Sequence, residues 1–204
     1  MGFICLCNLL INTWMKLQSK TLIFMLNPCH IVNLFLVIVS VRDHDRFGEL
    51  CALAVYSFAF GGYIGVIFNE NEGFDLWELL VYHCEHAFAS WLGPLILSLT
   101  GRYDFLSYVK FPLPWFGFAI FTIYERYILM PTSAVTWANL NHSLCGVDND
   151  PFYKMFDLGK SYYFWADFYL LGSCLVGFAL NYFVVSVVFF VRGLMGLEKV
   201  KKID

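Results

Sequence analysis

The sequence predicts an all-α fold, a polytopic transmembrane helix bundle of about five full spans plus a short N-terminal helix. Three observations predict it. Of the 204 residues, 59% are hydrophobic and only 14% are charged, whereas a soluble chain carries about 25% charged residues. The mean hydropathy is +0.64. Long apolar runs separated by short polar stretches occupy the whole chain, which therefore predicts a single integral membrane domain.

The spans follow from the apolar runs, because a helix needs about 20 apolar residues to cross the hydrocarbon core. Residues 1–20 hold a shorter run and predict a short or truncated N-terminal helix. In the second span, Gly61, Gly62 and Gly65 place small residues where a neighbouring helix can approach closely. The predicted transmembrane spans are residues 21–41, 49–68, 76–100, 111–130 and 161–192.

Charge and cysteine usage narrow the function class. With five spans, eight Lys and Arg residues fall on one side of the membrane and four on the other, which predicts a cytosolic C-terminus. We expect a multi-pass protein of an intracellular membrane. A net charge of -3 argues against nucleic-acid binding. The seven dispersed cysteines are typical of buried free thiols, not of a disulfide framework.

The first span contains the polar stretch Asn27-Pro28-Cys29-His30. Pro28 removes a backbone N–H, so the sequence predicts one helix over 21–41 with a kink at this proline. Asn27 and His30 are expected to hydrogen-bond the carbonyls that the kink frees. Two interpretations of Cys29 stay open: a small side chain at a structural kink, or a protected nucleophile.

The third span carries the most ionisable side chains, each of which costs about 2–3 kcal/mol or more in a bilayer unless it is paired or faces a cavity. They include Glu78, His83, Glu85 and His86. Three interpretations compete: a hydrogen-bonded polar seam, a metal site, or a histidine base for Cys29, since a thiol reacts as its thiolate. Two histidines on one turn are a weak metal signal, and we expect neither a metal nor a cofactor.

The polar connector at 131–160 contains Asn139 and Asn141. Turn formation is one interpretation, because Asn and Asp are turn residues. The other is a cap over the polar cavity, whose amides would hydrogen-bond a carbonyl or a phosphate headgroup.

Several short motifs occur in order along the chain. They are Leu-Asn-Pro-Cys-His at 26–30, Asn-Leu-Asn at 139–141 with Leu-Cys at 144–145, Asp-Pro-Phe-Tyr at 150–153 and Lys-Lys-Ile-Asp at 201–204. In these motifs the chain resembles the transmembrane protein 164 family, and the resemblance runs from about Ser19 to its end. It departs from that family at Gly146, where proline is usual, and in having only a short apolar stretch before the cysteine-bearing span.

The resemblance implies a membrane acyltransferase that moves a fatty acyl chain between phospholipids, with a lyso-ether phospholipid as acceptor. Its nucleophile maps to Cys29, which would form a thioester, and its histidine base maps to the third span, where His86 is favoured and His83 is the reserve. Asn27, His30, Asn139 and Asn141 are the candidates for positioning the substrate or stabilising the oxyanion.

Two other function classes compete with this enzyme. A non-catalytic transmembrane subunit of a larger complex would have other membrane subunits covering its short N-terminal side. An ion- or proton-conducting protein would use the His and Glu side chains of the third span, but no second charged span lines a pathway. The expected partners are thus membrane phospholipids, together with other subunits in the second hypothesis.

Overall fold

The computed structural model describes residues 1–42, 45–67, 74–100, 103, 113–140 and 162–195. Every regular element in these residues is helical, which confirms the predicted all-α class. The predicted short N-terminal helix is present as α1. The helices are α1 (Gly2–Gln18), a 3-10 helix (Leu22–Leu26), α2 (Pro28–Val41), α3 (Arg46–Ile67), α4 (Leu76–Ala87), α5 (Gly93–Leu99), α6 (Leu113–Tyr124), α7 (Met130–Thr136) and α8 (Tyr162–Leu194).

The described helices do not meet the requirements for crossing a bilayer. Within the ranges given above, none combines the length with the apolar character that a membrane span needs.

The first predicted span differs from the structure at its proline. The prediction of a single kinked helix over 21–41 is wrong: a 3-10 helix ends at Leu26, and α2 begins at Pro28. Asn27 between them is extended, with φ -60° and ψ 143°. Proline disfavours a helical conformation in the residue before it and suits the first helical position, where its missing N–H costs nothing. Pro28 therefore starts a helix and does not bend one.

The carbonyl partners at this junction also differ from those expected. The Tyr124 hydroxyl of α6 donates to the Leu26 carbonyl at 2.5 Å. His30 bonds to Glu85, and the buried Asn27 Oδ1 has no hydrogen-bond partner among the residues that the structure describes. The expectation that Asn27 and His30 satisfy the free carbonyls is therefore wrong for Leu26, because a neighbouring helix brings a hydroxyl to it.

Helix α3 lies at the centre of the molecule. Each side chain from Cys51 to Ala59 is buried, so this part of the helix is covered on all sides, as its apolar sequence requires. It contacts α2, α4, α6 and α8. The start of α3 is fixed by Asp45, whose Oδ1 accepts from the Gly48 N–H at 2.7 Å. Asp45 also accepts from Arg42, and this hydrogen bond raises the pKa of the exposed guanidinium.

The glycines of α3 determine how closely α4 can approach. A Cβ added at Gly62 would lie 2.8 Å from the Ser90 Cβ and 2.9 Å from the His86 carbonyl oxygen, whereas one added at Gly61 would meet nothing within 4 Å. Gly62 and Gly65, three residues apart, thus form the contact face that the sequence predicted, and Gly61 does not belong to it.

Two π-helical turns interrupt the long helices. The turn Phe88–Leu92 joins α4 to α5, and Glu125–Leu129 joins α6 to α7. In each, a backbone N–H bonds five residues back: Gly93 to Phe88, and Met130 to Glu125. A proline follows each turn at the same offset, Pro94 and Pro131. The wider turn leaves room for the pyrrolidine ring, which would clash with the carbonyl four residues earlier in a regular α-helix.

Candidate functional site

The candidate site lies where the first turn of α2 meets the last turn of α4. Helix α2 supplies Cys29 and His30, and α4 supplies Glu85.

Helix α4 begins at a capping box in which the Asp75 Oδ1 accepts from the Glu78 N–H at 2.8 Å and the Glu78 Oε2 accepts from the Asp75 N–H at 3.0 Å. Glu78 therefore caps the helix and does not contribute to the polar seam that the sequence suggested.

The central contact of the site is a hydrogen bond between the His30 Nδ1 and the Glu85 Oε1. His30 is 5% exposed and Glu85 is 2% exposed. An ionised carboxylate can only accept hydrogen bonds, so a neutral His30 ring bonded to it carries its hydrogen on Nδ1. Nε2 of that tautomer keeps its lone pair and can accept a proton.

The Cys29 sulfur lies beside this pair. One ligand atom of each of Cys29, His30 and Glu85 lies within 4.8 Å of the other two. The thiol is half-buried, and its residue belongs to the first turn of α2, where the helix dipole favours negative charge. A nucleophile, a nitrogen base and a carboxylate thus occupy one small volume.

Two asparagines of α1 hold the carboxylate from the other side. The Asn12 Nδ2 donates to the Glu85 Oε2 at 3.2 Å and to the Asn8 Oδ1 at 2.8 Å. The Asn8 Nδ2 in turn donates to the Val81 carbonyl of α4 at 3.1 Å. Both asparagines are buried. They therefore fix α1 against α4 and leave neither oxygen of Glu85 without a partner.

A third asparagine braces the backbones that carry the site. The Asn33 Nδ2 donates to the Cys29 carbonyl at 3.0 Å and to the Glu85 carbonyl at 3.4 Å, so one amide links α2 to α4. Asn33 is completely buried. Within the described part of the chain, neither its Oδ1 nor the Asn27 Oδ1 has a hydrogen-bond partner.

The two histidines that the sequence favoured as bases lie outside this group. The His86 Nδ1 bonds to the Tyr82 carbonyl at 2.8 Å, and its ring packs on the Tyr82 ring with centroids 4.0 Å apart. Its Nε2 faces Gly65 of α3. The His83 Nδ1 bonds to the Leu79 carbonyl at 2.8 Å. The structure brings neither ring into the group of Cys29, and their role as base stays a prediction.

Of the two asparagines of the connector, the structure describes only one. Asn139 is half-buried just after α7. Asn141 lies outside the described residues, as do most of the loops at 69–75 and 101–110 and the connector motifs beyond residue 140. Their predicted roles stay predictions.

Sequence reasoning missed the partners of His30. Glu85 was one of several ionisable residues in its span, and no role was predicted for Asn8 or Asn12. One signal was available, because Asn8 and Asn12 are four apart and share a helix face. Two amides on one face of an otherwise apolar helix indicate a buried polar partner.

No family model matches the chain, and no solved structure matches it either.

Proposed function

We propose that this chain is an integral membrane acyltransferase that moves a fatty acyl chain from a diacyl phospholipid to a lyso-ether phospholipid through a Cys29 thioester. The observation that carries the proposal is the grouping of the Cys29 sulfur, a His30 ring nitrogen and a Glu85 carboxylate oxygen within 4.8 Å. This is the nucleophile, base and orienting acid that covalent acyl transfer uses. The resemblance to the transmembrane protein 164 family supports the choice of phospholipid substrates.

The first half-reaction acylates the Cys29 thiol. Glu85 accepts the Nδ1–H of His30 and leaves Nε2 as the proton acceptor. His30 takes the thiol proton, and the thiolate attacks the ester carbonyl of the donor phospholipid. Collapse of the tetrahedral intermediate breaks the ester C–O bond and forms the thioester. The departing alkoxide takes the proton from His30 and leaves as a lysophospholipid.

The second half-reaction transfers the acyl group from Cys29 to the acceptor. The hydroxyl of the lyso-ether acceptor gives its proton to His30 and attacks the thioester carbonyl. The C–S bond breaks, and the thiolate regains the proton from His30. Because the same imidazole serves both halves, no water is needed in the site, and water would divert the acyl chain to hydrolysis.

The assignment of the base to His30 departs from the sequence prediction. His86 remains the alternative base, with His83 in reserve, as the resemblance implies. Oxyanion stabilisation by Asn27, Asn139 or Asn141 also remains part of the proposal. Asn27 is favoured among them because it lies two residues before the nucleophile, where its Nδ2 would donate to the oxyanion.

A membrane location is part of the same proposal. Large apolar side chains are exposed along α1 and α8, among them Phe3, Trp14, Phe183 and Phe190. Exposed apolar surface of this extent is typical of contact with lipid or with other proteins. We propose a multi-pass protein of an intracellular membrane with its C-terminus in the cytosol, and a substrate that enters laterally from the bilayer.

The test measures acyl transfer by the full chain in lipid nanodiscs. The donor is a diacyl phospholipid with an isotope-labelled polyunsaturated chain, and the acceptor is a lyso-ether phospholipid. With the acceptor present, wild type is expected to transfer the label. Without the acceptor, the mass of Cys29 is expected to increase by that of one acyl group. C29A is expected to do neither, while C7A, which changes a half-buried thiol of α1, keeps both. Transfer by C29A equal to that of wild type would contradict the mechanism.

The second candidate function is a non-catalytic transmembrane subunit of a larger complex. The observation that favours it is the complete pairing of the Glu85 carboxylate by His30 and Asn12, which suits a structural brace as well as a catalytic one. In that case C29A would leave the chain folded and assembled with its partners, and wild type would transfer no label.

A further inference from the structure

We propose that Cys29, His30 and Glu85 also form a Zn²⁺ site, and that a bound Zn²⁺ reversibly blocks acyl transfer. The binding part stands on the geometry alone. Only the inhibition rests on the proposed acyltransferase, because the metal would occupy the thiolate that attacks the ester.

The donor set fits zinc in identity and spacing. Thiolate, imidazole and carboxylate are the three protein ligands that Zn²⁺ uses, at bond lengths of about 2.0–2.3 Å. Ligand atoms around a tetrahedral ion then lie about 3–4 Å apart. The three atoms here lie within 4.8 Å of one another, so small side-chain rotations suffice. A mixed sulfur, nitrogen and oxygen set disfavours Mg²⁺ and Ca²⁺, which prefer oxygen ligands alone.

Charge supports a divalent ion. A thiolate and a carboxylate carry two negative charges, and a neutral imidazole adds none. One Zn²⁺ makes the buried group neutral, and an uncompensated charge in the interior is strongly unfavourable. On binding, the thiol gives up its proton. If Nδ1 is the ligand, the ion replaces the hydrogen between His30 and Glu85, and the ring carries its N–H on Nε2.

The surroundings resemble the outer shell of a metal site. Metal ligands are commonly oriented by further hydrogen bonds, and the loss of such a bond costs about 10–100-fold in affinity. Asn12 donates to the Glu85 Oε2, and Asn33 holds the backbone carbonyls of Cys29 and Glu85. Three protein ligands leave one position of a tetrahedral ion open, as in exchangeable zinc sites.

The first experiment measures binding without any activity assay. The full chain in detergent is freed of metal with a chelator and titrated with Co²⁺, followed by competition with Zn²⁺. One equivalent of Co²⁺ is expected to produce a thiolate-to-cobalt charge-transfer band together with tetrahedral d–d bands. C29A should lose the charge-transfer band, and E85Q and H30Q should each weaken Zn²⁺ binding at least about 10-fold.

Controls separate the site from adventitious binding. C7A and H83Q are expected to bind Zn²⁺ like wild type, and far-UV circular dichroism establishes that each variant is folded. N12A tests the outer shell without removing a ligand and should weaken binding about 10-fold. Equal Zn²⁺ affinity in wild type and in folded C29A, E85Q and H30Q would overturn the proposal.

The two proposals fail separately. If Co²⁺ shows the thiolate band but C29A transfers acyl chains normally, the zinc site stands and the acyltransferase mechanism falls. If Cys29 becomes acylated but no metal binds, the mechanism stands and the zinc site falls. If both hold, one equivalent of Zn²⁺ should abolish label transfer, and the chelator should restore it.

Discussion

The His30 Nδ1 bonds to the Glu85 Oε1 across the interface of α2 and α4, and both side chains are almost completely buried. The two residues are 55 positions apart in the chain. An isolated carboxylate in such a place would be strongly destabilising, so each side chain requires the other. The pair therefore joins two helices, and a ring nitrogen of His30 lies within 4.8 Å of the Cys29 sulfur.

Replacing Glu85 by Gln tests this pairing. The amide keeps the shape of the side chain and removes its charge, so the His30 ring loses the group that stabilises its protonated form. We expect kcat/KM for acyl transfer to fall about 100-fold, at the lower end of what general acid–base catalysis contributes. The measurement is label transfer in nanodiscs. Glu78→Gln is the matched control, because Gln also serves in capping boxes. An E85Q activity equal to that of E78Q would contradict the role of Glu85.

Separate substitutions of the buried histidines His30 and His86 identify the base. His30→Gln is expected to remove acyl transfer, since the ring beside the sulfur is lost. His86→Gln is expected to keep transfer within about 10-fold of wild type, because that ring bonds to Tyr82 and packs against α3. The measurement is single-turnover formation of the Cys29 thioester by mass spectrometry. The reverse result would return the base to His86, as the family resemblance implies.

Asn12 is expected to contribute to stability through Glu85. Asn12→Ala removes a hydrogen bond to a buried carboxylate, and such bonds are worth about 1.5–3 kcal/mol. Thr13→Ala, on the same helix, removes a bond to the Leu9 carbonyl and a long contact with the Met25 sulfur, and should cost less than about 1 kcal/mol. The comparison of the two thermal transitions in detergent checks this. A smaller loss for N12A than for T13A would mean that the α1 contact does not stabilise the carboxylate.

The glycines of α3 give a matched pair of variants. A Cβ at position 65 would lie 2.5 Å from the His86 Nε2 and 3.2 Å from the Tyr82 hydroxyl oxygen, so Gly65→Ala must push His86 aside. We expect it to lower the free energy of unfolding by about 1–3 kcal/mol. Gly61→Ala enters open space and should be neutral, or stabilising by up to about 1 kcal/mol. Equal transition temperatures for the two variants would contradict the close approach of α3 and α4.

The features that depend on short stretches of sequence could be predicted. The all-α class follows from composition and from the length of the apolar runs, and α3 fills nearly the whole of the predicted segment 49–68. The polar stretch around Cys29 stands out in any reading, because Asn, Pro and His are unfavourable in an apolar run. The start of α2 at Pro28 was also encoded, since proline suits the first helical position better than a helix interior.

The pairing within the site is not local, so sequence spacing could not give it. His83, Glu85 and His86 lie within one turn of α4, and only the rotation of α4 against α2 decides which of them faces Cys29. That rotation depends on Gly62 and Gly65, where α3 lies against the His86 side of the helix. A histidine on that face is packed against backbone, and the carboxylate points to α2 instead.

The π turn at Phe88–Leu92 makes the spacing between Glu85 and Pro94 intolerant of insertions and deletions. Removing one residue from Phe88–Leu92 would restore ordinary α-helical winding but would rotate all that follows by about 100°. It would also bring the Pro94 ring against a carbonyl of the preceding turn. Related chains that share this architecture should therefore keep the number of residues between Glu85 and Pro94, even where the intervening residues change.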